Sequence, residues 1–218
     1  LVDKMTSLLN IFNSTDLLIA THCEDQGIIK ENTEKYLTKY GADGDVPLRY
    51  HPNIRSTEAC YQSSELAVRL ARIADARLHI LHISTAKELQ LLENIPLVEK
   101  RITAEACVSH LLFTSSDYQE LGTRIKCNPA IKKKERNALR DAVNSGLIDV
   151  IATDHAPHLL KDKEGGALKA ASGMPMIQFS LVSMLGLVDE GVFTIEKIVE
   201  KMCHAPAQIY EIHNRGFI

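Results

Sequence analysis

The chain has 218 residues, 45% of them hydrophobic and 24% charged, with a formal net charge of −3. That length suits one domain or most of one, and that composition excludes disorder, collagen and a disulfide scaffold. The slight negative charge leaves no electrostatic footprint for nucleic acid or an anionic membrane. The longest apolar stretch, residues 174–188, is broken by Gln178, Ser180 and Ser183, so no membrane-spanning helix is expected. The first residues carry no signal-peptide pattern. Five cysteines (Cys23, Cys60, Cys107, Cys127 and Cys203) form an odd set without a CxxC pair. That is the pattern of reduced thiols in a cytoplasmic protein, not of a disulfide framework or a zinc ribbon.

Two periods alternate along the chain. Residues 17–24 are a short apolar run ending in polar residues and read as a first strand. Residues 56–75 read as a helix with Leu66, Leu70 and Ile73 on one stripe. Residues 77–83 are a second strand, and Thr85 with Glu88 forms a capping box opening a short helix to about Glu93. Residues 101–107 are a third strand. Residues 132–145 read as a charged helix with Leu139 and Val143 on one face and Gly146 as its C-cap. Residues 149–153 are a fourth strand, and residues 175–189, 194–203 and 206–212 read as three closing helices. Repetition of strand, helix and strand at this scale implies an α/β fold with parallel strands and crossover helices. It suits half of an eight-stranded βα barrel or part of an open doubly wound sheet. No glycine-rich phosphate motif follows a strand, and Gly165-Gly166 does not follow one either.

The polar residues cluster at the C-terminal ends of the strands: His22 and Glu24 on the first, His82 and Ser84 on the second, Asp154, His155 and His158 on the fourth. In a βα barrel that rim is where active sites are built. Two histidines and a carboxylate, His22, His82 and Asp154, arriving there from three strands have the chemistry of ligands for zinc or a similar divalent ion. A single histidine at a strand end is more often a hydrogen-bonded structural residue, so the case rests on their equivalent positions. His79 lies three residues before His82, which strand alternation places on the opposite face, as packing. His110, just past the third strand, is a further candidate, while His51, His204 and His213 carry no signal.

The string Ile151-Ala-Thr-Asp-His-Ala-Pro-His158 resembles the DHAPH motif of dihydroorotases in the amidohydrolase superfamily. Thr21-His-Cys-Glu-Asp25 resembles that family's fifth-strand histidine motif, and Leu81-His-Ile-Ser-Thr85 its sixth-strand motif. Lys126-Cys-Asn-Pro129 resembles the NPP(L/I)R segment, Ser172-Gly-Met-Pro175 the SGxPG loop, and His204-Ala-Pro-Ala207 the late helix after the barrel. The match runs from about residue 17 to 218. Hydantoinases and dihydropyrimidinases tend to carry DHC at the fourth strand here and allantoinases DHSP, so Ala156 and His158 favour dihydroorotase.

The resemblance implies the C-terminal half of a (β/α)8 TIM-like barrel of the metal-dependent hydrolase type across residues 1–218. The N-terminal strands and a flanking small β domain are then expected outside these residues, in a longer protein of which this is an internal piece. The resemblance implies that His22 and His82 bind the more buried ion of a two-zinc centre. Asp154 would bind the other and shuttle the proton, as metal-activated hydroxide attacks a ring amide. It also implies that Asn128 and His158, with the backbone at Ser172 and Gly173, hold the substrate. The reaction implied is interconversion of L-dihydroorotate and N-carbamoyl-L-aspartate in pyrimidine biosynthesis. The partner is a small molecule, with no nucleic acid and no membrane, and a homodimer is the family's common assembly. A hydantoinase- or allantoinase-like enzyme and a catalytically silent scaffold are the alternatives. The loop over residues 159–172, rich in Lys and Gly, reads equally as a closing lid or as solvated surface. The chain departs from the family pattern in three ways. The first-strand HxH and the bridging Lys or Asp are absent from these residues. Lys132 stands where the NPP(L/I)R motif has Arg, and Met-Pro-Met-Ile-Gln follows Gly173.

Overall fold

The computed structural model describes residues 5–215. Among these, four strands form one parallel sheet: β1 (Ile19–Thr21), β2 (Leu78–Ile80), β3 (Ile102–Cys107) and β4 (Val150–Ala152). Their spatial order follows chain order without a reversal. A doubly wound sheet reverses direction at a switch point. This winding is instead the one a βα barrel uses, each crossover stepping to the next strand.

Helix α1 (Met5–Asn13) precedes the sheet, and α2 (Gln26–Tyr40), α3 (His51–Ile54) and α4 (Thr57–Ala74) join β1 to β2. Helices α5 (Val108–Leu112), α6 (Tyr118–Leu121) and α7 (Glu135–Ser145) join β3 to β4; α8 (Ile177–Asp189), α9 (Ile195–Val199) and α10 (Ala205–Ile209) follow. Asp25 starts α2 by accepting from the Ile28 amide at 2.8 Å, and Ser56 starts α4 by accepting from the Ala59 amide at 3.2 Å. Such caps satisfy amides that the first turn leaves unpaired. Among the described residues, no helix is long and apolar enough to cross a membrane.

Strand alternation gives the sheet two chemically distinct faces. One face carries Leu78, Ile80, Ala104, Ala106 and Ile151, packed in one core with Val68 and Leu70 of α4, Leu139 and Val143 of α7, and Met184 and Leu187 of α8. The other face carries His79, Thr103 and Glu105 in register, with Val150 packed against Ala205 and Ile209. The buried polar side chains of β2 and β3 therefore lie on the face away from the main helical layer.

Several elements differ from the sequence expectation. Of the expected stripe Leu70 is buried but Ile73 points outward at 62% exposure; α4 also buries Ala59, Cys60, Ser64, Ala67, Val68 and Ala71. Thr85 and Glu88 do bond, Oγ1 to Oε2 at 2.8 Å, but the Glu88 carboxylate also turns inward to Ser64 Oγ at 2.7 Å. Only a 3-10 turn, Glu88–Leu91, follows. The helix expected from residue 132 begins at Glu135, because Lys132 is drawn into the interior. The two last helices are one run from Ile195 to Ile209, joined by a π-helical turn, Glu200–His204. Pro206 has no amide for the carbonyl four residues back, and the turn before it widens. The sequence offers little sign of α2, since only Ile29 of its 15 residues is buried.

One buried ion pair fastens the entry of β3 to that of β4. Asp149 accepts from Lys100 Nζ at 2.7 Å through Oδ1 and from the Ala104 amide at 2.9 Å through Oδ2. Removing one partner of a buried pair strands the other's charge, at about 3–5 kcal/mol. Lys100 keeps the carbonyls of Gly146 and Leu147, which softens the loss. Asp149→Ala is expected to lower unfolding free energy by about 3 kcal/mol in urea titration; a change under about 1 kcal/mol would show the pair to be dispensable.

Candidate metal and substrate site

The exits of β1 and β2 bring two imidazoles together. His22 Nδ1 lies 2.8 Å from His82 Nε2, the rings meeting edge to face. His82 is buried and sits at φ +41°, a left-handed conformation uncommon for a non-glycine residue. Glu105 of β3 holds it there. The His82 amide donates to Glu105 Oε1 at 3.3 Å and the Ile83 amide to the Glu105 carbonyl at 2.7 Å. Burial, then the neighbouring His22, pushes the His82 imidazole down to about 3, so its ring is neutral.

His22 is held from its other side. Its Nε2 lies 3.2 Å from Glu24 Oε2, and the same oxygen accepts from Arg55 Nη1. Burial opposes charge on Glu24, yet the His22 hydrogen bond and the Arg55 guanidinium outweigh it and hold the carboxyl below its ordinary range. A carboxylate on Nε2–H leaves the Nδ1 lone pair to face His82, the arrangement that orients a ligating histidine.

Asp154 leaves β4 at φ +44° with its side chain exposed. Burial of part of the group and the charge of Glu105 push its carboxyl up, and His22 pulls it down. The structure thus joins His22 to His82 but does not bring Asp154 against them. Among the described residues, no three His, Cys, Asp or Glu side chains group closely enough to enclose an ion.

Beside this pair stands a wall made by the DHAPH segment and the loop after it. The Ala156 amide donates to the Met174 carbonyl at 3.0 Å, and His158 Nε2 donates to the Ser172 carbonyl at 3.0 Å. Gly173 sits at φ +140°, where a Cβ would come within 2.5 Å of the Ala156 oxygen and 3.1 Å of His158 Nε2. Only glycine fits that approach. So His158, Ser172 and Gly173 are brought together, while His155 Nδ1 is occupied by the Ile177 amide. Asn128 stands on a neighbouring segment with Oδ1 buried and unpartnered, an acceptor aimed at no protein donor.

That segment is pinned on both flanks by histidines that the sequence did not single out as a pair. His51 donates through Nε2 to the Cys127 carbonyl at 3.0 Å, and His110 to the Pro129 carbonyl at 2.9 Å. His79 is also more than packing: Nδ1 bonds Thr103 Oγ1 at 2.8 Å and Nε2 bonds Glu105 Oε2 at 3.2 Å. Glu105 and Arg55 were missed outright. The available signal for Glu105 was a carboxylate inside an otherwise apolar strand. Lys132, in place of the motif's Arg, is buried and donates to Ser84 Oγ at 3.3 Å and the Ala130 carbonyl at 3.1 Å. The 159–172 loop is no free flap, since Asp45 accepts from the amides of Gly166 and Leu168 and Ala167 donates to the Val46 carbonyl. A cavity of about 820 Å³ lies elsewhere, at the N-terminal ends of the strands beside Arg77, Arg101 and Thr103.

Burial pushes His51 down to about 3 and His110 to about 4, so both are neutral in the folded chain. Unfolded histidines titrate near 6.5, so between about pH 6 and 4 the unfolded chain binds more protons and stability falls with acidification. Each group contributes a slope of up to about 1.4 kcal/mol per pH unit. His51→Gln keeps a donor for Cys127 and removes the titration. Urea unfolding at a series of pH values is expected to show a shallower acid limb for this variant; an unchanged slope would contradict the burial of a neutral ring.

With that geometry in hand, the chain can be set beside known proteins. The family model described as "Amidohydrolase family" matches residues 2–218. The dihydroorotase of Methanosphaera stadtmanae is 30% identical over 99% of this chain and 49% of its own length. The dihydroorotase of Syntrophus aciditrophicus is 32% identical over 95% of this chain and 47% of its own. Among solved structures, an L-hydantoinase (dihydropyrimidinase) from Arthrobacter aurescens superposes with a TM-score of 0.90 at 24% identity, covering 98% of this chain and 49% of that one. At that identity the likeness is one of fold: α/β with the parallel sheet of a TIM-type barrel. The chain spans about half the length of the curated relatives it matches. Its strand-exit histidines, its parallel sheet and its match along nearly every residue lead to one conclusion: the chain belongs to the amidohydrolase family.

Proposed function

We propose that this chain carries half of the active site of a metal-dependent cyclic amidohydrolase, and that the whole protein interconverts L-dihydroorotate and N-carbamoyl-L-aspartate. The observation that carries the reading is the meeting of His22 Nδ1 and His82 Nε2 at 2.8 Å, at the exits of adjacent strands. The dihydroorotase names of the curated relatives and the Ala156–His158 pair within the DHAPH segment support the substrate class. A small-molecule substrate, a cytoplasmic location and a homodimer belong to the same reading.

Two imidazole nitrogens converging, with one ring fixed by a carboxylate, suit zinc in kind. They are two of the ligands such an ion takes, so this chain fits as part of a set, with further donors supplied by the remainder of a longer protein. Two zinc ions per complete site are the expectation. When bound, such ions supply an activated water and polarise the amide carbonyl.

The chain's own residues do the rest. Asp154 takes the proton from the attacking water on its carboxylate and returns it to the ring nitrogen that leaves. Its pKa, raised by burial and Glu105, suits a group that must both accept and release. Asn128 has Oδ1 unpartnered, an acceptor for a ring N–H, and its Nδ2 is the donor type a substrate carboxylate needs. His158 has Nε2 engaged with the Ser172 carbonyl, which leaves Nδ1 as the ring atom to meet a substrate.

The full-length protein, dialysed and assayed on dihydroorotate, dihydrouracil, hydantoin and allantoin, tests the reading. It is expected to retain metal and to turn over dihydroorotate. Turnover of only a ring lacking the carboxylate would transfer the assignment to a hydantoinase- or allantoinase-like activity. A metal-free protein that turns over none would mark a scaffold. Asp154→Asn is expected to lower kcat by at least about 100-fold without a large change in melting temperature; near-wild-type turnover would remove the shuttle role.

A further inference from the structure

The Ser172–Gly173 loop of that wall meets a segment distant in sequence, the one that carries Asn128. They touch directly where the Gly173 amide donates to the Lys126 carbonyl at 2.8 Å. Two lysines stitch the rest of the seam. Lys163 is buried, and its ammonium donates to the carbonyls of Lys126 at 3.0 Å, Ala171 at 2.9 Å and Gly173 at 2.8 Å. Lys126, also buried, returns the link by donating through Nζ to the Ala170 carbonyl.

An ammonium has three N–H donors, and Lys163 spends all three on backbone oxygens from both sides of the seam. Three carbonyl oxygens drawn to one point repel one another, and a cation at that point is what makes the approach stable. The group is not placed at random. One acceptor lies two residues before Asn128, whose Oδ1 is buried and unpartnered. The other two flank Ser172, whose carbonyl holds His158. Lys163 therefore ties the backbone two residues before Asn128 to the backbone on both sides of Ser172. Burial pushes both lysines below their ordinary range, Lys126 to about 8 with Arg55 and Lys163 adding to the effect. Asp45 supports the same loop from outside, through the amides of Gly166 and Leu168.

We propose that Lys163 is a positioning residue whose ammonium sets the width of the ring-binding cleft between Asn128 and the His158–Ser172–Gly173 wall, and so governs affinity for the cyclic substrate. The inference rests on the reading of that wall given under Proposed function. It does not need the ring to be dihydroorotate.

The test uses the full-length, metal-loaded protein with Lys163→Met, which keeps the stem and removes the charge, and Lys163→Arg, which restores a cation with several donors. Steady-state kinetics are run on whichever of the four rings the wild type turns over. Binding of that ring is measured by calorimetry in the Asp154→Asn background. Lys163→Met is expected to raise KM and Kd by about tenfold while kcat falls less than about threefold, with partial recovery in Lys163→Arg. KM and Kd within twofold of wild type in a folded Lys163→Met protein would overturn the proposal. Equal falls in kcat and kcat/KM with unchanged Kd would also overturn it. If Lys163→Met does not fold, Lys126→Met breaks the reciprocal link and is read the same way; loss of fold in both assigns the lysines to stability alone and rejects the inference. A wild type that binds none of the rings fails the reading of the wall itself, and the inference with it.

Discussion

The site depends on Glu105. Its backbone carbonyl and one carboxylate oxygen take the amides of Ile83 and His82, and its other oxygen takes His79. This turns the end of β2 into a fixed left-handed step and aims His82 at His22. Without that anchor, a residue at φ +41° would relax to extended backbone and its ring would leave the strand exits. The Glu24–Arg55 pair does the equivalent for His22. Each histidine of the pair is thus aimed by a carboxylate that is itself buried.

The two faces of the sheet explain why such a site can exist on so short a set of strands. Apolar residues at alternate positions bind the sheet to α4, α7 and α8, and this packing supplies the stability. The other positions are then released from packing and carry His79, Thr103 and Glu105. Buried charge is expensive unless paired, and three buried charges here have partners. Asp149 has Lys100, Glu24 has Arg55, and Lys163 has three carbonyls. Among the described residues five buried side-chain atoms have no partner, Glu24 Oε1, His110 Nδ1, Tyr118 Oη, Asn128 Oδ1 and Arg136 Nε, and two of these, on Glu24 and Asn128, lie at the candidate site.

Neutral histidines do a different kind of work at the Asn128 segment. His51 and His110 come from elements far apart in sequence and donate to the carbonyls on either side of Asn128. A lysine-stitched loop then closes against the same segment from the other direction. The Asn128 segment is therefore held from several sides, the support that a preorganised site requires.

Much of this was legible in the order of residues alone. Apolar runs of strand length between helical stripes imply parallel strands, and polar residues at each run's end imply a rim. DHAPH with the two strand-end histidines marks the family. Those signals are local, or repeat at a fixed period, and survive without coordinates. The partners were not legible. Nothing in the spacing connects His51 to Cys127, Arg55 to Glu24, Asp45 to Gly166 or Lys163 to Lys126, because each is a contact between distant segments that exists only after the crossovers have folded. Nor does alternation reveal that His79 and His82 share one carboxylate, since His82 reaches Glu105 through its backbone after the strand has ended. Sequence determined which titratable and polar groups stand at the strand exits; tertiary structure decided which of them face one another, because side-chain direction at a strand exit is set by the hydrogen bonds of the neighbouring strand and not by the residue's own identity.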